Sequence, residues 1–237
     1  MTPEEWQITL FTAGLAAAST LLILPGGLLL AWVLAKFDWR GKSLVETLIA
    51  LPLVMPPVAT GLLLLELCGR QGWIGGPLFR WFDLDLAFTW RAVLIATSVM
   101  AFPLLVRAAR TGFESVAAEH EDAARVEGAS RIQILWYVVL PLSARAIGAG
   151  LIQSYARALG EFGATIMVAG NIPGRTTTLS LAIYQHVQMG HDDAAFRLLG
   201  MSALLAFLAI GLTERLLRPG DRPPAPARRR RPTSRAD

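Results

Sequence analysis

Apolar residues in this chain are grouped into long runs that are separated by short polar segments. Several runs approach or exceed the roughly 20 residues that an α-helix needs to cross a bilayer. The pattern therefore predicts an all-α polytopic membrane protein with about five transmembrane helices. The predicted spans are residues 8–35, 44–67, 91–105, a segment that starts near residue 134, and 198–217.

The composition supports a membrane protein. Apolar residues make up 54% of the 237-residue chain and charged residues 17%, and the mean hydropathy is +0.47. A soluble domain of this length is less apolar. The lone Cys68 excludes an intramolecular disulfide. The histidines are too scattered along the sequence for a metal cluster, so we expect no metal site; they are His120, His186 and His191.

Positive charge is distributed unevenly between the predicted loops. Because Lys and Arg accumulate on the cytoplasmic side, the predicted spans place the N-terminus in the periplasm and the C-terminus in the cytoplasm. Residues 219–237 are rich in arginine and proline, which predicts a disordered cytoplasmic tail, and we expect no nucleic-acid binding by it. The basic residues that set this orientation are Lys36, Arg40, Lys42, Arg107, Arg110 and those after Arg218.

Two features inside the apolar runs predict irregular helices. Pro52, Pro56 and Pro57 cluster in the second span and should kink or break it, and broken helices at membrane depth line a cavity or pack against protein. After Thr178, a potential N-cap, the pattern predicts a helix over residues 179–188. That helix is too short to span, so it should be an outer-face or re-entrant element.

Ionisable residues next to an apolar span are candidates for a functional site. Arg157 and Glu161 are four positions apart and are predicted to lie on one helical face. The alternative is that they merely pair with each other or sit at the outer interface. The candidate pathway or gate residues are Pro56, Pro57, Arg157, Glu161 and Phe162.

A polar, patterned segment, residues 122–141, separates two apolar runs. A short helix is predicted to begin at Asp122, Gly128 should break or bend it, and Ser130 can cap the helix that follows. Ala123 and Ala124 leave one face of this short helix nearly bare, so that another protein could approach closely. The alternative interpretation is an ordinary surface helix in a loop.

This segment resembles the EAA loop of ABC-importer permeases. Asp122 stands at the glutamate position, Ala123 and Ala124 are the two alanines, Gly128 is the glycine, and Leu140 with Pro141 closes the motif after Val139. The resemblance implies a cytoplasmic coupling loop, at about residues 116–133, that fits a cleft on an ATPase subunit. It also implies a type I ABC-importer transmembrane domain over residues 1–218.

Two longer stretches narrow the resemblance. LPLVMPPVATGLLLL (residues 51–65) resembles the proline-rich helix of oxyanion importers. RALGEFGATIMVAGNIPGRTTTLSLAIY (residues 157–184) resembles the corresponding region of molybdate ABC transporter permeases, and sulfate permeases share its LGEFG core. The resemblance implies a homodimer in the bacterial inner membrane, with a pathway between its two copies. The implied partners are two ATP-binding subunits, which use ATP and Mg²⁺, and a periplasmic molybdate-binding protein.

Other functions remain open at this point. A sulfate, thiosulfate or tungstate importer would carry a similar tetrahedral dianion. An ion-coupled secondary carrier usually has carboxylates in mid-span and inverted repeats, whereas Glu66 and Glu161 lie near span ends and the sequence shows no repeat. A polytopic structural protein is a third class. The sequence has no G-x-x-x-x-G-K-S/T phosphate loop, so we expect no catalytic residues and no cofactor in this chain.

Overall fold

The computed structural model describes residues 2–217. Within that range the regular elements are twelve α-helices and one π-helical turn, Leu135–Val139. The predicted tail at 219–237 lies outside the described residues. The helices are α1 (Pro3–Lys36), α2 (Lys42–Val54), α3 (Pro57–Cys68), α4 (Gly75–Phe82), α5 (Trp90–Glu114), α6 (Ala118–Val126), α7 (Arg131–Ile134), α8 (Leu140–Leu142), α9 (Ala144–Leu159), α10 (Gly163–Ala169), α11 (Leu179–Gln188) and α12 (Asp192–Leu217).

Three described helices are long and apolar enough to cross a membrane, namely α1, α5 and the Asp192–Leu212 part of α12. Two further spans are possible if each bent helix pair counts as one. The first pair is α2 with α3, which meet at 111°, and the second joins Arg131–Leu142 to α9 at 73°. The described residues thus contain three to five spans, which agrees with the number expected from hydropathy.

Helix α5 lies at the centre of the packing, between α1 and α9. Small residues bring α5 and α9 together, because a Cβ at Gly150 would lie 2.7 Å from the Cβ of Ala108. A Cβ at Gly112 would be equally close to the Cβ of Ala146. Backbones can therefore approach closely along this pair.

Two predicted boundaries are wrong. The third span was expected to end at residue 105, but α5 continues to Glu114. Within this extension Arg110 pairs with Glu114 at 2.7 Å and with Glu46 of α2 at 2.8 Å. Helix α6 begins at Ala118 and not at Asp122, and its first turn carries Glu119, whose charge is favourable at a helix N-terminus.

The fourth predicted span is bent. Pro141 has no N–H, and its ring would clash with the carbonyl four residues earlier in a regular helix. The helix widens instead into the π-turn, in which the N–H of Leu140 donates to the carbonyl of Leu135. The chain then turns by 73° before α9.

The short helix expected at residues 179–188 is confirmed as α11. The hydroxyl of Thr178 accepts a hydrogen bond from the Leu181 N–H, as an N-cap does. The N–H of Leu179 donates to Thr12 Oγ1 at 2.9 Å. Helix α11 is therefore fixed against the first half of α1.

Candidate functional site

Helix α6 presents two different faces. Asp122, Ala123 and Val126 point outward, and Val126 is 89% exposed. Ala124 is partly buried against the apolar cluster that contains Phe113. The outward face of α6 therefore consists of a carboxylate, a small alanine and an exposed valine.

Glu121 holds α6 in place. Glu121 is 7% exposed. One of its carboxylate oxygens accepts a hydrogen bond from Nζ of Lys36, at the end of α1, over 2.5 Å. The other oxygen bonds to Arg125 at 3.3 Å. Asp122, the residue at the glutamate position of the predicted coupling loop, has a side chain that is 64% exposed and pairs with Arg125. The spacing of Glu121 to Arg125 was visible in the sequence, but the contact with Lys36 was not.

Gly128 ends α6, as the sequence predicted. It has a φ of +88°, which favours glycine. Its N–H donates to the Arg125 carbonyl and the Ala129 N–H to the Ala124 carbonyl, both at 3.0 Å. Among the described residues, no heavy atom lies within 4 Å of a Cβ built at Gly128. The predicted cap at Ser130 is also present, and it forms a capping box with Gln133.

The end of the patterned segment lies elsewhere. Leu140 is partly buried against the apolar cluster that includes Val139 and Ile147. Pro141 is exposed in α8, after the π-turn. These two residues shape the bend toward α9 and do not extend the exposed face of α6.

A second site forms where two helix breaks meet. The break between α2 and α3 and the break between α9 and α10 border an open cavity of about 320 Å³. Four of the five predicted pathway residues line it, whereas Pro56 is exposed and precedes α3. The four are Pro57, Arg157, Glu161 and Phe162.

Glu161 has a partner for each carboxylate oxygen. Oε2 lies 2.6 Å from Nη1 of Arg157, and Oε1 accepts a hydrogen bond from the Ala164 N–H at 2.8 Å. The residue is 2% exposed. The prediction that both charges lie on one helix needs correction, because α9 ends at Leu159 and Glu161 instead satisfies the start of α10.

Glycines fix the walls of this cavity. A Cβ at Gly61 would lie 2.7 Å from the carbonyl oxygen of Ala164, and a Cβ at Gly163 would lie 2.7 Å from the Cβ of Pro57. Helices α3 and α10 therefore pack backbone to backbone. The ring of Phe162 lies 5.1 Å from that of Tyr184, which brings α11 to the same region.

The two charges of this site are paired with each other, as the alternative interpretation of the sequence expected. Arg157 is neutralised by Glu161, so an anion would have to compete with a carboxylate for the guanidinium. In the described part of the chain, no group of three or more His, Cys, Asp or Glu residues could hold a metal ion.

Comparison with known proteins identifies the family. Residues 23–218 match the family described as binding-protein-dependent transport system inner membrane component. The molybdenum transport system permease protein ModB of Escherichia coli (strain K12) is 42% identical over 219 residues, which are 92% of this chain and 96% of that protein. The sulfate transport system permease protein CysW of Synechocystis sp. is 37% identical over 188 residues, 79% of this chain and 68% of that protein.

The fold has solved relatives as well. An inward-facing structure of the MetNI methionine ABC transporter matches with a TM-score of 0.72 and covers 92% of this chain and 98% of the matched chain. At 15% identity this likeness concerns the fold alone. Family match, sequence identity and fold agree, and the chain belongs to the binding-protein-dependent transport system inner membrane components.

Proposed function

We propose that this chain is the permease subunit of an ATP-driven importer that carries molybdate across the bacterial inner membrane. The assignment of molybdate as the substrate rests on the 42% identity to a molybdenum permease over nearly the whole of both chains. The second candidate is sulfate, which the 37% identity to a sulfate permease supports over less of each chain. Both are tetrahedral dianions, so the same pathway chemistry serves either.

The permease works as part of a larger assembly. Two copies of this chain form the pathway at their interface. A periplasmic molybdate-binding protein delivers the anion, and the description of the family as binding-protein-dependent supports this partner. Two ATP-binding subunits hydrolyse ATP with Mg²⁺ on the cytoplasmic side. They supply the ATP hydrolysis, because this chain has no phosphate-binding loop of the G-x-x-x-x-G-K-S/T type.

Helix α6 is the coupling helix on the cytoplasmic face. It meets the ATPase with its exposed side at Asp122, Ala123 and Val126, next to the open surface at Gly128. The N-terminus of α1 then lies in the periplasm, as the positive-inside rule indicates. ATP binding moves α6, and Glu121 carries part of this movement to α1 through Lys36.

Helix α9 connects the coupling segment to the cavity. It follows α6 through α7, the π-turn and α8, and its 16 residues end next to the Arg157–Glu161 pair. A helix of this length is roughly 24 Å long. A rigid-body movement of α9 therefore displaces one wall of the cavity relative to α3, and the pathway opens alternately to the two sides. Arg157 guides the passing anion without retaining it.

Uptake into proteoliposomes tests this function. The permease is reconstituted with its ATPase, and the binding protein with labelled molybdate is added outside. We expect molybdate uptake that requires ATP and persists in excess sulfate. Uptake that excess sulfate abolishes would assign the chain to sulfate. An assembled complex that imports neither anion would contradict an oxyanion importer.

A further inference from the structure

A small charged cavity lies between the end of α1 and the coupling segment, and it shares no lining residue with the pathway cavity. Its volume is about 200 Å³, which equals that of roughly six or seven molecules of liquid water. Lys36, Glu121, Arg125 and Arg131 line it together with the aromatic rings of Trp32 and Phe37.

The charges around this cavity do not balance. Glu121 pairs with Lys36 and Arg125, and Asp122 adds a second carboxylate on Arg125. Three cations thus face two carboxylates, and the surplus charge is that of Arg131. Its guanidinium carbon lies 5.5 Å from the centre of the Phe37 ring, and within residues 2–217 it has no carboxylate partner. The cavity therefore matches an anion with a single negative charge.

Exposed aromatic residues close in sequence to the cavity lining are typical of a membrane interface. Trp136 and Tyr137 are exposed on the π-turn that follows Arg131, and Trp39 is exposed just after α1. Amphipathic rings are enriched at the level of lipid headgroups. The anion most abundant at that level, with one charge on a tetrahedral centre, is the phosphodiester of a phospholipid. A transported dianion would instead leave an excess negative charge next to Glu121.

We infer that this cavity is a binding site for the phosphodiester headgroup of an anionic phospholipid, with Arg131 as its charged ligand. Basic pockets between transmembrane helices are suited to such headgroups. A bound headgroup would bridge α1, α6 and α7, which meet at the cavity, and would stiffen the attachment of the coupling helix. This inference goes beyond the proposed function, since it concerns lipid and not cargo.

Native mass spectrometry of the purified permease tests the inference. Phosphatidylglycerol or phosphatidylcholine is titrated into the detergent-solubilised protein, and inorganic phosphate is used in a separate arm. We expect preferential retention of phosphatidylglycerol and a loss of about ten-fold in its affinity in Arg131→Gln, the size expected for one charge-assisted contact. Arg131→Lys keeps the charge and should retain part of the affinity.

Arg145→Gln is the matched control, because it removes the same charge from an exposed position outside the cavity. Equal loss in both variants, or unchanged lipid retention in Arg131→Gln, would overturn the inference. Binding of phosphate that depends on Arg131 without any preference among lipids would also overturn it, in favour of a free anion. The ATPase is absent from this assay, so a failed transport experiment leaves its outcome unaffected.

Discussion

Glu161 is a buried carboxylate with two structural tasks. It neutralises Arg157 and it accepts a hydrogen bond from the first turn of α10. Buried ion pairs contribute little net stability, but removing one partner leaves the other charge buried without a counter-charge. This asymmetry allows the structural and transport roles of Arg157 to be separated.

Arg157→Gln should reduce both stability and transport. The substitution leaves Glu161 without its counter-charge. We expect the free energy of unfolding to fall by about 2 kcal/mol. This is less than for a fully buried pair, because the Arg157 side chain is 27% exposed. The double variant Arg157→Gln/Glu161→Gln should regain stability but not uptake. Thermal unfolding and uptake kinetics measure the two effects. Wild-type uptake by a correctly assembled double variant would contradict a guiding role for Arg157.

Glu121 and Asp122 form a matched pair of neighbouring carboxylates. Glu121→Gln should lower the free energy of unfolding by about 1–2 kcal/mol, because Lys36 loses its partner at a mostly buried position. Asp122→Asn should change it by less than about 1 kcal/mol, because the Asp122–Arg125 pair is at the surface. Melting temperatures of the purified variants measure the difference. Equal effects would show that Glu121 does not anchor α6.

At the scale of elements, close helix contacts hold the cavity in shape. Helices α3 and α10 touch where glycine leaves room for the backbone. Helices α5 and α9 touch where glycine faces the Cβ of an alanine. At the α3–α10 contact the atoms that face Gly61 belong to the backbone, so a single added methyl group there has to displace a whole helix.

Gly61→Ala should separate α3 from α10. The new methyl group would lie within 2.8 Å of the Cα and the carbonyl oxygen of Ala164, neither of which can move alone. We expect a cost of about 1–3 kcal/mol and slower uptake, as the cavity wall shifts. Gly14→Ala is the control, since among the described residues nothing lies within 4 Å of its Cβ. Similar melting temperatures for both variants would contradict the close contact.

Gly128 tests the coupling function of α6. Gly128→Glu should leave membrane insertion intact but abolish co-purification of the ATPase, because a side chain would occupy the open contact surface. The left-handed conformation at Gly128 introduces strain as a second cause. Gly128→Asn separates the two, since asparagine tolerates this conformation yet still adds a side chain. Wild-type ATPase yield with Gly128→Asn would show that strain, and not obstruction, is responsible.

At the scale of the whole molecule, the orientation of the chain decides what α6 can bind. The proposed orientation places the loop between α3 and α5 in the periplasm and α6 in the cytoplasm. Both regions offer well-exposed positions for labelling, Trp73 and Val126. The lone native thiol, Cys68, is buried and can be replaced by alanine.

Labelling with an impermeant maleimide tests this orientation. In a Cys68→Ala background, Trp73→Cys should react in intact spheroplasts, and Val126→Cys should react only after the membrane is opened. Denatured protein provides the control for full labelling. The opposite pattern would place α6 outside the cell and would exclude contact with a cytoplasmic ATPase.

The sequence by itself determined the features that depend on neighbouring residues. Long apolar runs gave the approximate number of spans, the prolines at 52, 56 and 57 predicted the break before α3, and Thr178 predicted the start of α11. Gly128 and Ser130 predicted the end of α6 and the start of α7. Each of these signals acts over a few residues, through backbone conformation or a local hydrogen bond.

Tertiary structure decided which of these features meet. Lys36 and Glu121 are 85 positions apart, and their hydrogen bond joins α6 to the end of α1. The break near Pro57 and the break near Glu161 become one cavity because glycines let α3 and α10 touch. Contacts of this kind depend on side-chain packing between distant segments, and no local pattern in the chain encodes their distance or direction.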